Sequence, residues 1–173
     1  MENREKKILF DREQILNRVK ELGNILSKDY KDKTPIVISL LKGSFIFCSD
    51  LVREMNITLE IEFLETSSYG DDEVSSGDVK ILSNIKTDLE GRDVIIVDDI
   101  IDTGRTLKKV VEEISAKNPA SLKTCVLLDK PSRRVVDISA DYVGFEIDDV
   151  FIVGYGLNYK SYYRNVPYIF IYI

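Results

Sequence analysis

The sequence predicts an α/β fold with a central, mainly parallel sheet flanked by helices. Two apolar runs of strand length, PIVISLL from Pro35 and VIIV from Val94 to Val97, show no polar alternation, as expected of central strands buried on both faces. Each is followed by a short polar turn and then by a segment of helical spacing, the order that parallel crossovers require. At 173 residues, the chain has the length of a single domain that buries roughly 70% of its unfolded surface.

The elements follow in order. Phe10-Asp11-Arg12-Glu13-Gln14-Ile15 reads as a helix start, with Asp11 as N-cap, Gln14 reaching back to it and Phe10 stapled against Ile15. Ile15, Leu16, Val19, Leu22, Ile25 and Leu26 then hold one helical face to about Lys28. After the strand from Pro35 and the turn Lys42-Gly43-Ser44, the segment FIFCSDLVREM reads as a second helix. Ile57, Leu59, Ile61 and Phe63 alternate with Thr58, Glu60 and Glu62, the pattern of a half-exposed strand. Residues 66–78, TSSYGDDEVSSGD, are too polar and too rich in Gly and Ser to pack, so a long loop is expected there, with Val79 to Leu82 as the return strand of a hairpin. LKKVVEEISAKN has helical spacing up to Lys117, and Asn118-Pro119 breaks it. Leu122 to Leu128 forms a further strand that ends in Asp129-Lys130-Pro131. The aromatic-rich end of the chain, YVGFEIDDVFIVGYGLNYKSYYRNVPYIFIYI, lacks a helical period and reads as a strand pair plus a terminal strand.

Residues 94–106, VIIVDDIIDTGRT, carry the chemistry. Asp98 and Asp99 stand where the buried strand is expected to end, Asp102 follows three residues later, and Thr103-Gly104-Arg105-Thr106 opens a helix. Ligands of an open parallel sheet sit at the carboxyl ends of its strands, and a Gly-containing turn into a helix N-terminus offers free N–H groups to phosphate. Leu41-Lys42-Gly43-Ser44 repeats the phosphate-receiving logic, now with a fixed cation.

The pattern resembles the type I phosphoribosyltransferases, and within them the hypoxanthine-guanine branch. The matching motifs run in that family's order from about Leu41 to Arg164. The resemblance implies that fold for residues 1–173 as one domain, with a small hood from residues near 1–10 and 145–173 and a mobile lid loop that includes Ser68 and Tyr69. It implies purine salvage, the Mg²⁺-dependent transfer of phosphoribose from phosphoribosyl pyrophosphate to N9 of hypoxanthine or guanine. In the implied site Leu41, Lys42, Gly43 and Arg164 grip pyrophosphate. Asp98 and Asp99 hold the ribose and the metal, the turn Thr103, Gly104, Arg105 and Thr106 wraps the 5′-phosphate, and Ile101 and Asp102 are further substrate-binding residues. Asp102 is the general acid/base at purine N7, Lys130 donates to the 6-oxo group, Phe151 stacks on the base, and Ile152 reads its edge through backbone atoms. Two departures stand out. The family usually has Glu then Asp where this chain has Asp98-Asp99, and Asn158 occupies the place of a metal-binding Asp in Gly-Leu-Asp-Tyr.

Composition bounds the alternatives. The chain has no His, which removes imidazole bases and most zinc sites, so proton transfer falls to Asp, Glu, Lys, Tyr or Cys. Lys plus Arg 24 against Asp plus Glu 30 leaves a net charge of −6, which disfavours a general nucleic-acid surface. Cys48 and Cys125 lie in apolar segments without CxxC spacing and read as buried thiols in a reducing cytoplasm. No apolar run reaches the length of a membrane span. Partners are expected to be small molecules, and the aromatic-rich strands suggest further copies of the chain, as a homodimer or homotetramer. Two rival readings remain: a phosphoribosyltransferase-fold RNA-binding attenuation regulator, and the same fold with xanthine or uracil specificity.

Overall fold

The computed structural model describes residues 5–68 and 79–173. In chain order the elements are β1 (Lys6–Phe10), α1 (Arg12–Asp29), β2 (Ile36–Leu41), α2 (Phe45–Glu54), β3 (Glu60–Ser68), β4 (Val79–Ile81), β5 (Asp93–Ile101), α3 (Arg105–Ser115), β6 (Ser121–Asp129), a 3-10 turn (Pro131–Arg133), β7 (Tyr142–Glu146), β8 (Ile152–Val153) and β9 (Ile169–Tyr172). A six-stranded sheet has the order β4-β3-β2-β5-β6-β7, parallel throughout except where β4 pairs antiparallel with β3. A second sheet, β1-β9-β8, joins the two ends of the described chain in antiparallel pairing.

Both central strands alternate between two cores, which is why their sequences show no polar face. Val37, Ile95 and Val97 pack under α1 and α2, while Ile36, Ile38, Val94 and Ile96 pack with Leu107, Val110 and Ile114 of α3. Helix α1 starts as expected: Gln14 N donates to Asp11 Oδ1 at 2.8 Å, and Asp11 N donates to Gln14 Oε1 at 2.9 Å. Its buried stripe is narrower than predicted. Ile15, Val19, Leu22 and Leu26 are buried, but Leu16 and Ile25 are exposed; at Gly23 the helix meets α2 so closely that an added Cβ would lie 2.5 Å from Glu54 Cβ. Cys48 and Cys125 are buried free thiols.

Three strand expectations shift. The half-exposed strand expected over residues 57–63 is instead β3, which begins at Glu60. Ile57 and Leu59 pack against the α1/α2 core as the chain enters it, Leu64 is buried, and Ile61 and Phe63 stay exposed. Thr66, Ser67 and Ser68, expected in the loop, continue β3 because β4 returns beside them; Tyr69 lies outside the described residues. In the last third, β7 joins the large sheet rather than a terminal group of strands. Its outer edge is covered by Arg18 of α1, whose Nε donates to Gly144 O and whose Nη2 donates to Val143 O, both at 2.8 Å.

Candidate active site

Strand β5 outruns its neighbour. β2 pairs with β5 only as far as Ser39↔Val97, whereas β6 follows β5 to Ile101↔Asp129. Asp98 and Asp99 therefore lie inside the strand and not after it, on the part that β2 has left. The backbone there is satisfied locally: Asp99 N donates to Asp98 Oδ1 at 2.9 Å, and Ile100 N donates to Asp99 Oδ1 at 2.8 Å. Sequence periodicity could not show this, because the extension depends on where a different strand stops.

Burial raises the Asp98 carboxyl well above its ordinary range, and the negative charge of Asp99 adds to the rise. Asp99 is also raised by burial, partly offset by hydrogen bonds from Asp98 and the Ile100 N–H and by the positive charge of Arg164. Two acids side by side, both pushed toward their neutral forms, are short of the counter-charge that would keep both ionised. Among the described residues no group of three or more His, Cys, Asp or Glu is placed to hold a metal by itself. A hard cation that takes one or two carboxylates and completes its shell with water and substrate oxygens, as Mg²⁺ does, fits this donor set.

These side chains wall a cavity of about 440 Å³ at the carboxyl ends of β2 and β5. One wall is Leu41 and Gly43, joined to Lys42 through a cis Leu41–Lys42 peptide. A second comprises Asp98, Asp99, Ile101 and Asp102. The third is the turn Thr103, Gly104 and Thr106, and Asn158 and Arg164 close the side toward the small sheet. The contacts are close: a Cβ on Gly43 would lie 1.8 Å from Asp99 Oδ2, and one on Gly156 would lie 2.1 Å from Gly43 O. Arg164 Nη1 donates to Gly156 O at 2.6 Å, which holds its guanidinium at the mouth.

Helix α3 begins at Arg105 with Gly104 as its N-cap, at φ 85°. Gly104 has no side chain to cap it, Thr103 Oγ1 accepts only a long bond of 3.4 Å from Arg105 N, and no acid stands in the first turn, so the N-terminus, with Thr103, Gly104 and Thr106 on the cavity wall, is suited to an anion.

Several candidates lie apart. Lys42 and Arg105 are exposed outside the cavity wall. Lys130 is buried at 6% exposure, with Nζ 3.9 Å from Asp149 Oδ1. Phe151 is exposed at 61% and borders a neighbouring depression of about 330 Å³ with Tyr159, while Ile152 is buried in β8. Leu40, Thr66, Ile100, Leu107 and Arg133 complete the cavity wall unforeseen. For Arg133 a signal was present in the sequence: Pro131-Ser132-Arg133-Arg134 follows Lys130 directly, and both arginines turn back onto Asp102.

The family model of the phosphoribosyl transferase domain matches residues 6–160. The chain belongs to the phosphoribosyltransferase family. It is 49% identical over 163 residues to the hypoxanthine-guanine phosphoribosyltransferase of Bacillus subtilis, covering 94% of this chain and 91% of that one. Among solved structures it resembles a hypoxanthine phosphoribosyltransferase from Staphylococcus aureus, with a TM-score of 0.91, 44% identity, and coverage of 96% of this chain and 91% of that one. It also resembles a hypoxanthine-guanine phosphoribosyltransferase from Bacillus anthracis, with a TM-score of 0.90, 43% identity, and coverage of 98% and 99%. As a phosphoribosyltransferase the chain has its cavity at the carboxyl ends of the central strands, and among its described residues no helix is long and apolar enough to cross a membrane.

Proposed function

We propose that this phosphoribosyltransferase acts in purine salvage, joining N9 of hypoxanthine or guanine to C1 of phosphoribosyl pyrophosphate, with release of pyrophosphate and inversion at C1. The observation that carries the reading is the shared cavity walled by the paired carboxylates Asp98 and Asp99 and by the N-terminus of α3, in a chain with relatives named for this activity. Asp98 and Asp99 accept from the ribose hydroxyls. Thr103 through Thr106 receive the 5′-phosphate. The turn at Leu41, Lys42 and Gly43, with Arg164, holds the pyrophosphate, whose negative charge grows as the bond to C1 breaks. Asp102 holds or moves a proton at purine N7. Asp98, Asp99 and Asn158 would hold Mg²⁺, which would supply positive charge to the leaving group. Buried free thiols support a reducing compartment such as the cytoplasm, and exposed Ile61 and Phe63 on β3 support self-association.

The test is a pyrophosphate-release assay with phosphoribosyl pyrophosphate, Mg²⁺ and each base in turn. Turnover with hypoxanthine and guanine is expected. Turnover confined to xanthine or uracil would replace the base assignment, and salt-dependent RNA binding without turnover would favour a regulator.

Two residue-level expectations follow from the proposed roles. Lys130 is a buried ammonium with one carboxylate 3.9 Å away, so it has donor capacity to spare for the 6-oxo group of a purine. Lys130→Ala should raise the Michaelis constant for hypoxanthine and guanine far more than that for the sugar substrate; equal constants for the base before and after would return Lys130 to a structural role. Asn158, on the cavity wall, offers a neutral amide oxygen where a carboxylate would bind a hard dication more tightly. Asn158→Asp should lower the Mg²⁺ needed for half-maximal rate by up to roughly 10–100-fold. Superimposable Mg²⁺ titrations of the two proteins would remove Asn158 from the metal site.

A further inference from the structure

We propose that Arg133 is the positioning residue of the Asp102 carboxylate, an inference that rests on the acid/base role proposed for Asp102. Arg133 Nε donates to Asp102 Oδ1 at 3.1 Å and lies 3.7 Å from Asp149 Oδ1, and Asp149 in turn stands 3.9 Å from Lys130 Nζ. Charges of alternating sign thus run from the proposed proton-transfer group to the proposed base-reading lysine. The pairs are too exposed to add much to stability: Arg133 keeps 48% of its side-chain surface, Asp102 38% and Asp149 54%. What the pairing does supply is direction, because a guanidinium fixed in place selects one rotamer of a carboxylate that would otherwise swing in an open cavity.

The arginine is fixed because its turn is stitched to the loop it serves. Three consecutive carbonyls at the end of β5 accept from it: Ile101 O from Lys130 N at 3.0 Å, Asp102 O from Arg134 Nη1, and Thr103 O from Val135 N at 3.1 Å. Arg134 is itself anchored, donating through Nη2 to Asp129 Oδ1. The backbone of residues 130–135 and the backbone of Asp102 therefore move as one body. Arg133 reaches from that body across the cavity wall to the carboxylate. A surface ion pair needs no such foundation, whereas a group that must hold a carboxylate to within a fraction of an ångström does.

The test compares kcat and both Michaelis constants in the wild type, Arg133→Ala, Arg133→Lys, Asp102→Asn and the double variant Arg133→Ala/Asp102→Asn. Misplacing a reacting group costs up to about 10²-fold, so Arg133→Ala is expected to lower kcat by about 10–100-fold. The Michaelis constant for phosphoribosyl pyrophosphate should stay within about twofold, since an interaction acting through Asp102 does not touch the sugar substrate. Arg133→Lys, which keeps the charge but not the fork, should recover part of the rate. In the Asp102→Asn background the arginine change should lower kcat no further. Losses that add in the double variant would overturn the proposal, as would an effect confined to the base Michaelis constant, which would make Arg133 a direct base contact. A fall in melting temperature that accounts for the lost rate would overturn it as well. An inactive wild type would overturn the purine-salvage reading and this inference with it; an active wild type with additive losses overturns the inference alone.

Discussion

Asp102→Asn is expected to lower the rate of nucleotide formation by about 10²–10⁴-fold, the range of a general acid/base, while leaving the affinity for phosphoribosyl pyrophosphate nearly intact. The separation follows from where the parts sit. The groups proposed to hold the sugar phosphate are Asp98 and Asp99 on β5 and the start of α3, whereas Asp102 stands between them, half-exposed, with its carboxylate turned to Arg133. Asn has the same size and an amide oxygen that still accepts from Arg133, so the loop keeps its shape and loses only a proton-holding anion. Rate and sugar-substrate affinity measured together decide the matter. A parallel loss of both would mean that Asp102 serves binding instead of proton transfer.

Gly43→Ala is expected to lower the rate by about 10²-fold through displacement of Asp99, the scale on which a misplaced group affects catalysis. An alanine Cβ at position 43 would lie 1.8 Å from Asp99 Oδ2 and 2.6 Å from its Cγ, so the carboxylate must leave its place. Leaving breaks its bond to the Ile100 N–H and moves it away from Arg164. On the other side, Gly43 O already meets Gly156, whose own added Cβ would sit 2.1 Å away, so the turn has no room to retreat. Overpacking of this kind destabilises by about 1–3 kcal/mol, which leaves a folded protein. Thermal melting and a Mg²⁺ titration of activity on the same sample check both halves. A variant with wild-type rate and wild-type Mg²⁺ requirement would mean that the position of Asp99 is immaterial to the reaction.

What the sequence determined by itself was the local chemistry. Unbroken apolar runs identified β2 and β5, because a strand buried on both faces must be apolar on both. The Asp11–Gln14 capping box placed the start of α1, because its partners are three residues apart and need nothing else from the fold. The stretch from Asp98 to Thr106 read as a phosphate-receiving helix start beside carboxylates, and these residues, Arg105 excepted, wall one cavity together with Gly43, Asn158 and Arg164. Only the tertiary structure decided the rest. Asp98 and Asp99 are within β5 because β2 stops pairing at Ser39, a fact about a different strand. β3 begins later than its alternation suggests because its first residue answers to Ile36 of β2 rather than to its own pattern. Arg133 reaches Asp102 across 31 positions of chain because three carbonyls of the β5 end hold the turn after β6 against it. Periodicity and motifs record what a residue needs from its near neighbours. Contacts between strand ends and distant turns depend on registers that are set only when the sheet assembles.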